Sequence, residues 1–134
     1  MTLDAQGFRV AALAFPGAYE DFPFGEETSV FKVKAPSSGG STWVGKMFAI
    51  GRLDLPTLSV GLKCEPVLAA QLRTVNPGII PGYHLNKRHW NTVDCAVVDA
   101  AMVLDMLEDS YDLVVAGLPR KQQTALEWSA RAGK

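Results

Sequence analysis

Long apolar runs are absent from this chain. Nowhere do about 18 apolar residues follow one another, which excludes a membrane-crossing helix on the sequence. The first residues, MTLDAQGFRVAALAFPG, lack the basic start and long apolar core of a secretory leader, and Asp4 stands among them. A cytoplasmic location with no membrane partner is therefore expected. Cysteine is scarce: Cys64 and Cys95 are the only two, and they form no CxxC pair. In a reducing compartment each is expected to be a small core side chain. Phosphate cradles are missing too, since neither GxxxxGK followed by Ser or Thr nor a strand–GxGxxG–helix unit occurs. Gly39-Gly40 falls in a hairpin tip with no helix start behind it, and no GxSxG turn is present. Strong net charge is also lacking, because 13 Lys and Arg against 14 Asp and Glu leave −1 at pH 7. The total alone does not point to a polyanion.

What is present suits one domain around one core: 134 residues, 48% hydrophobic and 20% charged. The charge is unevenly spread. Between Val30 and Val93 stand Lys32, Lys34, Lys46, Arg52, Lys63, Arg73, Lys87 and Arg88, against only Asp54 and Glu65. Such polarisation can give a neutral protein a basic face. Equally, it can be lysine placed along strands to block edge-to-edge aggregation.

Periodicity divides the chain. Residues 4–15 read as a helix capped by Asp4, with Phe8, Ala11, Ala12 and Phe15 on one face, and Pro16-Gly17 stops it. AYEDFPFG (18–25) reads as an acidic turn whose Phe22 and Phe24 are expected to close the core over that helix. TSVFKVKA then alternates, with Val30, Lys32 and Lys34 on one face and Phe31 and Val33 on the other. TWVGKMFAIG and TLSVGLK follow, and the three together predict an antiparallel meander with a mobile Ser/Gly tip at 37–41.

CEPVLAAQLRTVNPG predicts a second helix with Pro66 in its first position and Leu68, Leu72 and Val75 along one side. After IIPGYHLNKRHWNTV, a last helix is expected from about Ala100 to Ala116, capped by Asp99. Val103, Met106, Leu107, Ser110 and Val114 turn inward there, and Asp105, Glu108, Asp109 and Asp112 form an acidic outer face that would repel nucleic acid. The expectation is a single α+β domain over 1–119, with helices packed on an antiparallel sheet. A polar tail at 120–134, helical or frayed, has Trp128 as its anchor.

GYHLNKRHWN (82–91) concentrates chemistry. A metal could be drawn from His84, His89, Asp94 and Cys95, but the spacing matches no zinc pattern, and no metal or cofactor is expected. Cys95 or Cys64 beside a histidine would make a nucleophile, and His84 with Asp21 or Glu20 an acid–base pair. Nothing in the spacing selects either, so no catalytic residue is named and no enzyme expected. Nucleic acid has a more direct basis. Lys87 and Arg88 suit phosphates, Asn86 and Asn91 suit base edges or phosphates, and Tyr83, His89 and Trp90 offer stacking faces. Lys46 and Lys63 extend this patch if their strands lie alongside. Two other readings stand beside it. The segment, with Tyr83, His84 and Trp90, can wall a pocket for a polypeptide or small ligand. It can also be a structural hairpin in which Tyr and Trp find polar partners.

Five motifs carry a resemblance: EDFPFGEETSVFKV (20–33), GKMFAI (45–50), LSVGLKCEP (58–66), PGYHLNKRHWNTV (81–93) and SYDLVVAGLPRK (110–121). In this order they resemble the MmcQ/YjbR family over nearly the whole domain. The resemblance implies an α-β-β-β-α-β-β-α order akin to secretion-chaperone-like folds. It also implies DNA binding through a double wing of sheet hairpins, and it supplies no catalytic residue. One departure stands out: PSSGGSTWV occupies the place where relatives typically have a tight turn. This longer, uncharged tip leaves Lys32, Lys34 and Lys46 at its base to grip phosphates.

Overall fold

Asp4 opens the first helix as its spacing predicts. In the computed structural model, which describes residues 1–35, 45–83 and 85–132 (side chains only as far as 127), its carboxylate accepts from Gly7 N at 2.7 Å. Helix α1 (Ala5–Leu13) buries Phe8 and Ala12. The chain then turns at Gly17, whose φ of +73° favours glycine. A Cβ there would also come within 2.4 Å of Lys34 O.

The next residues depart from expectation. Ala18–Asp21 form strand β1 rather than a turn, paired antiparallel with β2 (Ser29–Val33). A short edge strand carrying two acids shows no alternation. Its register is set instead by partners distant in sequence: Arg9 Nε donates to Glu20 at 3.1 Å and Lys32 Nζ to Asp21 at 2.8 Å. Phe22 and Phe24 do not close the core, being 45% and 69% exposed. Aromatics closer to the helices fill that role. Phe8 meets Phe31 edge-on at 5.7 Å, Phe15 stacks on Tyr111 at 4.6 Å, and Phe48 meets Tyr111 edge-on at 5.3 Å.

Strands β3 (Lys46–Gly51) and β4 (Ser59–Lys63) complete the expected meander. Phe31 pairs with Ala49 but Lys32 pairs with Met47, so Phe48 is an extra residue in the ladder. That bulge buries Phe48 and Ala49 side by side. Helix α2 (Pro66–Val75) begins with Pro66 and is capped by Glu65, which accepts from Val67 N and Leu68 N, both at 3.1 Å. Its inward face is only in part the one expected. Ala69 is buried and Leu72 packs on the core, while Leu68 is largely outside and Val75 is 73% exposed. The helix lies over the margin of the sheet, so its inner side reduces to Ala69, Leu72 and Arg73.

Strands β5 (Ile79–Pro81) and β6 (Trp90–Asp94) finish a six-stranded, wholly antiparallel sheet in the order β1-β2-β3-β4-β6-β5. Helix α3 (Ala100–Ala116) buries the expected residues and Tyr111 as well. Ser110 Oγ, wholly buried, donates to Phe48 O at 2.6 Å and accepts from Lys63 N at 2.8 Å, fastening α3 to β3 and β4. The predicted tail forms helix α4 (Arg120–Ala132). Leu126 enters the core beside Gly17, and Trp128, the expected anchor, lies outside the described side chains. The expected mobile tip at 37–41 and the PSSGGSTWV departure also fall on residues outside the described set, apart from Ala35 and Gly45 that flank them.

The helices pack on one face of the sheet. Glu20 meets α1, and Asn91, in register with the core residue Leu62, meets α2. The other face carries Lys32, Ile50, Gly61, Lys63, Trp90 and Thr92 by register. No helix among the described residues is long and apolar enough to cross a membrane.

Candidate functional site

Between β5 and β6, Tyr83 and Leu85 lie over the helix-free face of the sheet. Gly82 N donates to Trp90 O at 2.9 Å, and a Cβ on Gly82 would come within 2.8 Å of Trp90 Cβ, so the two chains meet closely there. Tyr83 N donates to Thr92 Oγ1 at 2.9 Å. Asn86 shapes the turn: its carbonyl accepts from Trp90 N at 2.9 Å, and its Oδ1 accepts from Arg88 N at 3.0 Å. Leu85 thereby comes down on Gly61, where a Cβ would lie 2.9 Å from both Leu85 Cδ1 and Ile50 Cγ2.

Arg73 of α2 holds the turn from the other side of the sheet. Its Nε donates to Asn91 Oδ1 at 2.6 Å, and its Nη2 donates to Lys87 O and to Trp90 O. Asn91 is fully buried and its Nδ2 has no partner among the described residues. Asn91 therefore belongs to the base of the hairpin and not to its outer surface.

Tyr83 and Leu85 form one wall of a cleft of about 440 Å³. Ile50, Gly61 and Thr92 belong to the sheet beneath, and Phe24, Leu55 and Thr57 complete the lining. Most of the lining is apolar. Besides the hydroxyls of Tyr83 and Thr92, those of Thr28, Thr57 and Ser59 line the cleft, the last three toward the end where β2 and β4 begin. Arg52 is the one charged residue in the described lining. Its guanidinium is gripped by Asp54, with Nε to Oδ1 at 2.8 Å and Nη2 to Oδ2 at 2.7 Å, and Glu27 stands 3.4 Å away. The hydrogen bond from Arg52 is the main reason that Asp54 is held below its ordinary carboxylate value, and the same bond raises Arg52.

The sequence-named residues divide among several places. Tyr83 lines the cleft, and Trp90 and His89 are half-buried at the hairpin base. His84 lies outside the described residues. Arg88 is exposed at the turn, and Lys87 Nζ donates to Gly82 O at 3.1 Å. Lys63 pairs with Trp90 on the helix-free face. Lys46 stands at the same end of the sheet but in register with the core residue Val33, hence on the opposite face. Of the eight cations counted in the basic span, Lys32 and Arg52 are ion-paired and Arg73 is drawn into the hairpin. Cys95 and Cys64 are buried, and burial is the chief cause that pushes both thiols up, Cys95 to about 12.

Sequence reasoning missed Phe24, Ile50, Arg52, Leu55, Thr57, Ser59 and Gly61 as a site. Two signals pointed there: a glycine inside a strand, which marks a close approach, and an aromatic in a segment too polar to bury it.

Comparisons with known proteins converge on one group. The YjbR family model matches residues 13–113. The uncharacterised protein YbdF of Escherichia coli O157:H7 is 33% identical over 84% of each chain. The uncharacterised YjbR of Escherichia coli K12 is 36% identical over 51% of this chain and 58% of its own. Among solved structures, a Deinococcus radiodurans protein with a DUF419 domain superposes with a TM-score of 0.83 at 33% identity, covering 94% of this chain and 89% of that one. A Pseudomonas syringae protein gives 0.66 at 26% identity, over 84% and 99%.

Proposed function

The chain belongs to the YjbR family, and from that premise we propose that it is a small-ligand-binding module whose site is the cleft on the helix-free face of the sheet. One observation carries the reading: Tyr83 and Leu85 stand as a wall over a concave, mostly apolar space of about 440 Å³. That volume falls in the range of small-molecule sites, and an apolar lining with a few polar groups is their usual chemistry. Binding without catalysis is favoured because the described lining holds hydroxyls and one ion-paired guanidinium, with no carboxylate, imidazole or thiol to move a proton. The test is to titrate a library of neutral aromatic fragments into the ¹⁵N-labelled protein. Saturable amide shifts clustered at Ile50, Gly61, Leu85 and Thr92 are expected; shifts scattered over the surface, or none, would overturn the reading.

A second reading, DNA binding, rests on a different observation. Lys63, Lys87 and Arg88 have no carboxylate partner among the described residues, and they flank Trp90 at one end of the same face. Three phosphate contacts would give a salt slope of roughly −3 in log affinity against log salt. Anisotropy of a labelled mixed-sequence duplex, compared between wild type and the Lys87→Ala/Arg88→Ala variant at low and high salt, tests it. Binding that ignores both salt and the double substitution would count against it.

A further inference from the structure

We propose that the cleft selects a neutral aromatic molecule bearing one or two hydrogen-bonding groups, and that Glu27 and Asp54 enforce that neutrality by occupying Arg52. The inference rests on the cleft being a ligand site and deepens that reading to a ligand class.

The argument begins with charge. A lone arginine in an apolar cleft would invite a carboxylate or phosphate, which guanidinium recognises with paired hydrogen bonds. Here that paired face is taken. Nε and Nη2 both point at Asp54, and Glu27 approaches the same Nη2. Two carboxylates around one guanidinium leave that group with a net negative charge, so an entering anion meets repulsion and finds the Nε–Nη2 fork, the face that would bind it with paired hydrogen bonds, already occupied. A cation is drawn toward that charge, but both carboxylates stand outside the described lining and are already paired with Arg52, so it can bind only by breaking those pairs. A neutral ligand keeps the Arg52–Asp54 pair intact.

Shape and polarity narrow the class further. The floor at Gly61 has no side chain, and Leu85 and Ile50 close directly on it, each 2.9 Å from where a Cβ would stand, so the open part of the cleft lies beside Leu85 and not beneath it. Two exposed aromatics, Phe24 and Tyr83, line the cleft. A flat ring gains area from both and from the aliphatic lining of Ile50, Leu55 and Leu85, with less conformational entropy to lose than a flexible chain. The hydroxyls of Thr28, Thr57 and Ser59 make no protein hydrogen bond among the described residues and gather at one end of the cleft. They suit an amide, ester, amine or phenol group at one edge of the ring.

Two dyes with one skeleton test the point on the full chain. N-phenyl-1-naphthylamine is neutral, and 8-anilinonaphthalene-1-sulfonate is the same body with a sulfonate. The neutral dye is expected to bind saturably at one site, about fivefold or more tighter than the sulfonate, an electrostatic margin fitting partly screened charges. The Glu27→Gln/Asp54→Asn variant, altered only at exposed positions, is expected to erase that difference by gaining the sulfonate and leaving the neutral dye unchanged. Equal binding of both dyes by wild type, or no gain of sulfonate in the variant, overturns the neutrality inference while the cleft reading stands. Thr57→Phe, also at an exposed position, should block the neutral dye. Neutral-dye binding that survives Thr57→Phe, or the absence of saturable binding by either dye, overturns the cleft reading and this inference with it.

Discussion

Arg73 shows how one side chain sets a whole loop. Its guanidinium reaches Asn91 Oδ1, Lys87 O and Trp90 O, so a single residue of α2 ties three points of the hairpin base together. Arg73→Ala leaves the Asn91 carbonyl buried without its donor. The expected loss is about 2 kcal/mol in urea unfolding, with Arg73→Lys recovering only part, because an ammonium lacks the planar fork. Two other residues fix the alkaline limb of stability. Burial is the main cause that lifts Cys95 from 9.0 and Tyr111 from 10.0, each to about 12 in the folded chain. The unfolded chain releases these protons first. Stability should therefore be full below about pH 9 and fall progressively toward pH 12, which urea midpoints at pH 8, 9.5 and 10.5 will show. Native-state labelling of both thiols at pH 8 should be negligible until the protein unfolds. Asn91 and Arg73 also mark the limit of reading residue types alone. The composition of 82–91 suggests outward contacts, yet the register of β6 turns Asn91 into the interior and brings Arg73 to it.

Elements differ in how openly they announce themselves. Helices α1 and α3 are legible because cap and period agree: Asp4 and Asp99 stand where the apolar spacing starts. Strand β1 is illegible because its acids are satisfied by Arg9 and Lys32, partners no local pattern reveals. Helix α2 has its existence and first residue written in the sequence, but which side turns inward depends on where it lands, at the sheet margin, with Ala69 inward and Val75 out. Helix α4 is polar along most of its length, and its docking rests on Leu126 beside Gly17. Deleting residues 120–134 is expected to lower the melting temperature measurably, since a fully buried leucine contributes on the order of 2 kcal/mol. Leu126→Ala in the full chain should reproduce much of that loss.

At the scale of the whole molecule, packing is one-sided, with the helices on one face and the cleft on the other. Gly61 is the point where this arrangement is most sensitive. Gly61→Val should push Leu85 off the sheet, cost about 1–3 kcal/mol through overpacking, and abolish fragment shifts at Thr92. Periods and caps that act over a few residues suffice to specify the α+β class, the meander, the capped helices and the core residues of α3, and the family motifs are legible in the same local way. Long-range packing, in contrast, brings Phe24, Arg52 and Tyr83 into one cleft, sets Lys46 and Lys63 on opposite faces, and neutralises or turns inward part of the basic span. Those outcomes depend on strand order and on a one-residue bulge at Phe48. A shift of one residue exchanges the two faces of a strand, and no local pattern of residues records which face will be covered.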